Sequence, residues 1–406
     1  GKFTLTNIPS NAKTLMISFI GLRTQEVEIK PVLSIALKPD TEVLDEVVVV
    51  AYGTAKKESL TGSVSVVNSK KIEKRISTSV TGALEGSAPG VQVNNTYGEP
   101  GSAPSIRIRG FGTLVSGASN PLYVVDGVPF DGNIAEINSN DIESMSVLKD
   151  AASAALYGNR AANGVVILTS KKGKKGQKAK INVSAQYGVS QMTGDKVEMM
   201  NAEQWLGFQE MLDPSMKNNA AFQEWKNFCI DNGISTNWAD IFFGGTAPTK
   251  QLDVNVTGGN DILNYYLSMG HYDAEGIMDD SNMRRETFRS NIDANVNNWM
   301  KVGANLNLSY QKYGTTAFGG SGNSVYNKAY ASRIYRPDQS YYEILTDEEG
   351  NFTGFGDRLD YFDRLGYYNP YYLSEIQPSS KDMVRLNGNT FININPFKGF
   401  NVRSAQ

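Results

Sequence analysis

From Ile181 to Ser404 the chain repeats one pattern seven times: apolar residues alternating with polar ones, the polar partner very often asparagine. Leu252, Val254 and Val256 alternate with Asp253, Asn255 and Thr257. Val302, Ala304, Leu306, Leu308 and Tyr310 alternate with Gly303, Asn305, Asn307 and Ser309. A period of two puts one set on each face of a strand. The runs fall at about 180–190, 251–257, 262–272, 287–296, 301–311 and 383–394, with a last one opening at Asn401. Between them, long connections (191–250, 273–286 and 312–382) alternate with short ones at Gly258–Asp261, Asn297–Asn298 and Asn395–Gly399. In a soluble sandwich the apolar set would face a core. Long and short connections in strict alternation instead match a membrane barrel with extended outer loops and tight periplasmic turns.

The remaining composition mostly excludes. The net charge of −3 over 406 residues leaves no nucleic-acid footprint. One cysteine, Cys229, rules out an internal disulfide framework and reads as a small buried hydrophobe on a helix. With His271 as the only histidine, neither a His/Cys zinc site nor a Cys–His nucleophile is available. Gly319-Gly320-Ser321-Gly322 lacks the Lys-Ser/Thr of a phosphate loop, and Asp347-Glu348-Glu349-Gly350-Asn351 reads as a solvated turn. No catalytic constellation emerges, so neither an enzyme nor a cofactor is expected. No stretch reaches the length of a membrane helix, which says nothing against barrel strands. The basic run Lys171, Lys172, Lys174, Lys175, Lys178 and Lys180 reads as a solvated linker.

Along the chain, Lys2–Thr6, Thr14–Phe19, Gln25–Ile29 and Leu33–Leu37 read as short strands of an antiparallel sandwich fragment. Four valines, Val47 to Val50, follow with charged flanks. In residues 57–176, Ser105–Arg109 is a strand bearing Arg107 and Arg109 before Gly110. Asp126-Gly127 is a tight turn between strands. Ile142–Leu148 and Gly164–Thr169 bracket Lys149 and a helix, Ala151–Tyr157, with Gly158 as its C′ residue. In the first long connection, Asn201–Asp231 reads as helix, N-capped by Asn201, with Trp205, Phe208, Leu212, Phe222, Trp225 and Cys229 packing it onto its neighbours. The last long connection is rich in tyrosine, which suits contact with a sugar, a peptide or a partner protein, or a membrane girdle.

In order and spacing, Ser105–Gly110, Pro121–Pro129, Ile142–Asp150 and Ala151–Thr169 resemble the plug domain of SusC/RagA-like TonB-dependent outer-membrane transporters of Bacteroidetes. Asn255–Gly276 is similar to the family's first barrel hairpins, and residues 1–42 to the back half of its carboxypeptidase-regulatory-like domain. Leu44, Asp45, Glu46, Val47, Val48, Val49, Val50, Ala51, Tyr52 and Gly53 look like its TonB box, with Ala51 where glycine is usual.

The resemblance implies a mainly β chain. Residues 1–42 would form part of the regulatory-like β-sandwich, 43–56 the TonB box and linker, 57–176 an α+β plug. Residues 177–406 would be the first strands of a transmembrane antiparallel barrel of about 22 strands. Both ends then read as cut, the front missing an export signal and the back stopping inside a strand. The implied function is active import of oligosaccharides or peptides across the Gram-negative outer membrane, with the N-terminal domain periplasmic. TonB with ExbB and ExbD would drive it, a SusD-like surface lipoprotein would cap it, and lipid would surround it. A surface receptor that signals or adheres is the alternative. Within that frame Arg107 and Arg109 are expected to tie plug to wall, and Gly110, Asp126, Gly127, Lys149, Tyr157 and Gly158 to shape the plug. Tyr335, Tyr341, Tyr342 and Tyr371 are expected to touch substrate or lid.

Overall fold

The computed structural model describes residues 14–19, 22–30, 33, 35, 47–50, 53–56, 64–72, 80–94, 100–101, 104–110, 119–150, 155–193, 198–278, 281–314, 328–363, 365–376, 378–397 and 399–405. β1 (Thr14–Phe19) and β2 (Leu22–Glu28) form an antiparallel hairpin. The strand expected at Lys2–Thr6 lies outside the described residues, and of Leu33–Leu37 only Leu33 and Ile35 are described, outside any strand. The valine run is β3 (Val47–Val50), which turns back onto β4 (Gly53–Lys56) with Val50 opposite Gly53.

The next strands are β5 (Val64–Asn68), β6 (Val91–Asn94), β7 (Ser105–Ile108), β8 (Leu122–Val125), β9 (Val128–Pro129), β10 (Ile142–Leu148) and β11 (Val165–Ser170). They build a five-stranded mixed sheet in the order β5–β10–β11–β8–β9, with β6 and β7 paired separately. β8 and β11 run parallel, and the other pairs antiparallel. Continuous apolar runs such as Val165–Leu168 suit a strand covered on both faces. Val166 and Leu168 join Val67, Ile106, Met145 and Val147 in one core, and Val165 and Ile167 join Val124 and Leu148 in another. Asp126 and Gly127, at φ 50° and 90°, make the left-handed turn between β8 and β9 that the dipeptide predicts. Residues 151–154 lie outside the described residues, and the expected helix is seen as a 3-10 turn, Ala155–Ala161, broken at Gly158 with φ 65°.

The wall strands are β12 (Lys180–Gln191), β13 (Thr246–Gly259), β14 (Leu263–Glu275), β15 (Asn282–Asn295) and β16 (Met300–Gly314). After the short loop strands β17 (Tyr342–Thr346), β18 (Phe352–Arg358), β19 (Tyr361–Phe362) and β20 (Tyr367–Tyr368) come β21 (Ser380–Ile394) and β22 (Val402–Ala405). Every alternating run becomes a strand of one seven-stranded sheet, ordered β12–β13–β14–β15–β16–β21–β22. β15 opens earlier than the alternation predicts because Arg284 and Arg285 sit side by side on opposite faces. In cross-section Val254, Met269, Phe288, Leu308 and Leu386 line up on one face. Asp253, Gly270, Thr287, Ser309 and Arg385 line up on the other. The apolar row is largely exposed, whereas Asp253, Thr287 and Ser309 are buried. That is the reverse of a soluble protein: the polar face is covered by the plug.

Candidate functional site at the plug–wall junction

The junction is built from two short plug segments and the polar face of β13 to β21. The first segment is Asn133–Asp141. Asn133 caps the 3-10 turn Ile134–Glu136, with Glu136 completing the capping box, and Asn138 caps Ser139–Asp141. The two turns present side chains and carbonyls outward from the plug. Arg285, fully buried, donates to the carbonyls of Ala135 and Ile137 and lies 5.1 Å from the centre of the Tyr272 ring. Glu136 pairs with Arg385. The Asn138 and Asn140 amides donate to the Asp253 carboxylate at 2.6 and 2.5 Å, and Gln251 adds a third bond at 2.8 Å.

Asp141 accepts from the Tyr266 hydroxyl at 2.9 Å and the Ser268 hydroxyl at 2.5 Å, with Arg289 Nε 3.8 Å away. Burial pushes its carboxyl above the usual range, while Arg289, Ser268 and Tyr266 pull it back. The second segment is the Asp126–Gly127 turn beside Ser170. Asp126 accepts from the Ser170 amide and hydroxyl at 2.9 and 2.7 Å and from Arg289 Nη1 at 3.0 Å. Asn291 closes the network on Ser170 Oγ and the Lys171 carbonyl, at 2.8 and 2.7 Å. Arg289 is 2% exposed, so its charge is sustained by Asp126 and Asp141 alone among the described residues. Beside this network a cavity of about 250 Å³ is lined by Asp126, Phe130, Arg289, Asn305, Asn307, Asn387 and Asn389. Such an amide-rich lining suits water-mediated contact.

These struts carry opposite charges to those expected. Arg107 and Arg109 were the residues expected to reach the wall. Arg109 instead pairs with Asp150 inside the plug, half exposed, and its φ of 57° turns the chain at the end of β7. Arg107 faces Gln92 in the β6–β7 ladder. In the ion pairs that cross the junction the plug contributes Asp126, Asp141 and Glu136 and the wall Arg289 and Arg385, while the wall carboxylate Asp253 meets plug amides. Gly110 follows Arg109 at φ 98°, where glycine is unstrained. Lys149 donates to the Pro89 carbonyl at 2.5 Å. Burial and then the Arg109 charge lower the Lys149 pKa, against the pull of Asp150. Tyr157 packs against the Val124 cluster.

Beyond the far ends of the wall strands, the two longest connections fold onto each other. The expected single helix from Asn201 is two, Ala202–Leu212 and Ala220–Asp231, separated at Pro214. Leu206, Cys229 and Ile234 are buried between them among Trp205, Phe222, Trp225 and Phe228. Trp238 anchors the contact with the tyrosine-rich connection. Its ring lies 5.0 Å from Tyr335, 6.0 Å from Tyr341 and 5.2 Å from Phe362, and its Nε1 donates to the Arg336 carbonyl. Tyr335 and Tyr341 are therefore core residues rather than recognition surface, being 4% and 8% exposed. Tyr371 is half-buried and its hydroxyl donates to the Ile241 carbonyl at 3.0 Å. Of the four expected contacts, Tyr342 is the exposed one, at 43%.

A family description, the TonB-dependent receptor plug domain, matches residues 56–165. The TonB-dependent receptor P26 of Formosa agariphila is 33% identical over 404 residues, covering 96% of this chain and 38% of the relative. The TonB-dependent receptor SusC of Bacteroides thetaiotaomicron is 35% identical over 68% of this chain and 27% of its own length. Among solved structures, the RagAB peptide importer in its open-open state superposes with a TM-score of 0.73 at 30% identity, covering 89% of this chain and 42% of that one. The chain belongs to the SusC/RagA-like TonB-dependent receptors. It spans less than half the length of these relatives.

In this receptor chain, of the residues expected to form a TonB box, Leu44, Asp45, Glu46, Ala51 and Tyr52 lie outside the described residues, and Val47–Val50 and Gly53 are seen as backbone of the β3–β4 hairpin. Sequence reasoning missed Asn133–Asp141 and the wall arginines. Two signals were present: paired Asn-x-x-acid capping patterns at Asn133–Glu136 and Asn138–Asp141, and arginines at Arg285, Arg289 and Arg385 on the polar face of the alternation.

Proposed function

We propose that this chain supplies the coupling segment, the plug and part of the wall of an outer-membrane importer for oligosaccharides or peptides. TonB, with ExbB and ExbD, energises it. Residues 1–42 form part of a periplasmic regulatory-like domain, 43–56 the TonB box and linker, 57–176 the plug and 177–406 the wall. The observation that carries the reading is the opposition of the wall's two faces. An apolar outer face suits lipid, and a polar face is bonded to a folded plug, as a wide barrel requires if it is to stay closed. The extended valine run supports coupling by strand addition, because β4 occupies one edge and a partner strand needs only the other. The packed loop subdomain, with Tyr342 on its surface, supports a platform for a SusD-like lid.

The test uses the full-length receptor in cells. Val49→Pro removes a backbone donor from the run, so uptake of the bound nutrient should stop while surface binding persists. Uptake that continues unchanged would return Leu44–Gly53 to a structural role. Binding with no TonB-dependent accumulation in the unaltered receptor would mark a protein that signals or adheres instead.

A further inference from the structure

The linker between plug and wall holds Lys171, Lys172, Lys174, Lys175, Lys178 and Lys180, and no acidic residue lies between Lys171 and Ile181. The plug–wall junction uses the start of this run: Asn291 binds the Lys171 carbonyl, and Lys172 sits 5.9 Å from the centre of the Phe391 ring. The stretch from Lys174 to Lys180 has a different setting. It lies at the end of the wall where the short turns gather, since Lys180 pairs with Thr257, Gly259 with Asn264, Asn295 with Lys301 and Ile394 with Val402. It is also pinned there. The Gly259 amide donates to the Gln177 carbonyl at 2.9 Å, and a Cβ on Gly173 would come within 2.2 Å of the Gly258 carbonyl. Lys174, Lys175 and Lys178 are exposed along this rim, with Asp261 pairing Lys175 at 3.1 Å, whereas Lys180 shares the polar face of β12 with Asn182 and Ser184.

The same rim exposes aromatic side chains that a water-facing turn has no reason to carry. Trp299, Phe397 and Phe400 are 46%, 66% and 44% exposed, on the two turns that follow β15 and β21. Aromatic rings mark the headgroup level of a bilayer, and lysines beside them reach phosphates with their stems along the apolar boundary. Lysines alone would read as a solvated linker, and aromatics alone as a girdle. Together on one rim, at the end of an outward apolar face, they match an anionic lipid surface in both charge and polarity.

We propose that this lysine–aromatic collar binds the headgroups of anionic phospholipids in the periplasmic leaflet. The inference rests on the outer-membrane orientation proposed above, with the short turns periplasmic. It gives the plug–wall linker an anchor beside the point where the plug leaves the wall.

The full-length receptor, purified in mild detergent and reconstituted into nanodiscs of phosphatidylglycerol mixed with phosphatidylcholine, should retain phosphatidylglycerol when co-purified lipid is measured by mass spectrometry. A variant with Lys174, Lys175 and Lys178 all changed to Gln should lose at least tenfold of that preference, since each surface lysine is worth roughly a fivefold bias toward anionic lipid. Raised salt should have the same direction of effect. Equal phosphatidylglycerol retention by variant and parent, in barrels shown folded by heat-modifiable mobility, would overturn the proposal. So would unchanged retention with loss of cross-linking to TonB, which would assign the lysines to a protein partner. A Lys178→Cys receptor tests the orientation separately, because Cys229 is buried. Labelling of that cysteine by an impermeant maleimide in intact cells would refute the periplasmic placement, whatever the lipid result.

Discussion

The plug is held together and held in place by two different kinds of contact. Inside, β8, β10 and β11 meet through Val124, Leu148, Val165 and Ile167, all fully buried and apolar. At the wall the joint consists of Asp126, Asp141 and Glu136 with Arg289 and Arg385, backed by Tyr266, Ser268 and Asn291. Apolar burial has no substitute once water enters, so separating such a core costs its full area. A polar joint differs because water can replace each partner as the surfaces part, and the net value of each bond is small. The difference makes the plug a stable body on a releasable mount. Polar contacts also set a single register, since each carboxylate must find its own donor.

The comparison predicts a graded series, read by hydrogen exchange in the full-length receptor. Arg289→Ala should have the largest effect. It leaves Asp126 and Asp141 buried without their cation, and breaking such a pair destabilises by about 3–5 kcal/mol. Protection should be lost at residues 133–141 while β10 and β11 keep theirs, and small antibiotics should leak. Intact protection at 133–141 would show that apolar contacts dock the plug after all. Leu148→Ala should weaken the sheet itself by about 3 kcal/mol through lost burial and a cavity, with exchange rising across β8, β10 and β11. If this variant instead undocks an otherwise protected plug, the separation of body and mount is wrong.

Tyr371→Phe sharpens the parallel case in the loop subdomain. It removes the hydrogen bond to the Ile241 carbonyl, about 1 kcal/mol, and keeps the ring. Local exchange at residues 238–243 should rise modestly with ligand affinity unchanged; a large loss of affinity would restore Tyr371 to the recognition surface. Arg109→Ala should have the smallest effect. Its pair with Asp150 is half solvated, so about 0.5 kcal/mol is expected and permeability should not change. A leaky Arg109→Ala receptor would revive the first expectation, that this arginine ties plug to wall.

Much of the architecture was legible before any coordinates. Alternation along Leu252–Thr257 and Val302–Tyr310 assigns residues to faces because the period of a strand is invariant, and loop lengths then suggest the environment. The Asp126–Gly127 turn follows from local stereochemistry in the same way. The site was not legible to that degree. Arg289 meets Asp126 across 163 residues and Asn138 meets Asp253 across 115, separations over which no sequence period runs. Arg107 and Arg109 point to wall partners in the sequence because charges on a strand demand partners, and no sequence period shows that one partner is as near as Asp150. Tyrosine misled for a related reason. Its ring packs and its hydroxyl bonds equally well in a core or on a surface, so Tyr335 and Tyr342 look alike until Trp238 is placed.

By itself, then, the sequence determined the seven alternating wall strands, their faces, the Asp126–Gly127 turn and the family, each set by interactions within a few residues or by a period repeated along the chain. The tertiary structure alone decided which polar groups pair across the plug–wall junction, and which aromatic rings are buried in the loops. Those outcomes depend on segments brought together from distant parts of the chain, where a carboxylate's partner is whatever cation the packed surfaces place within reach.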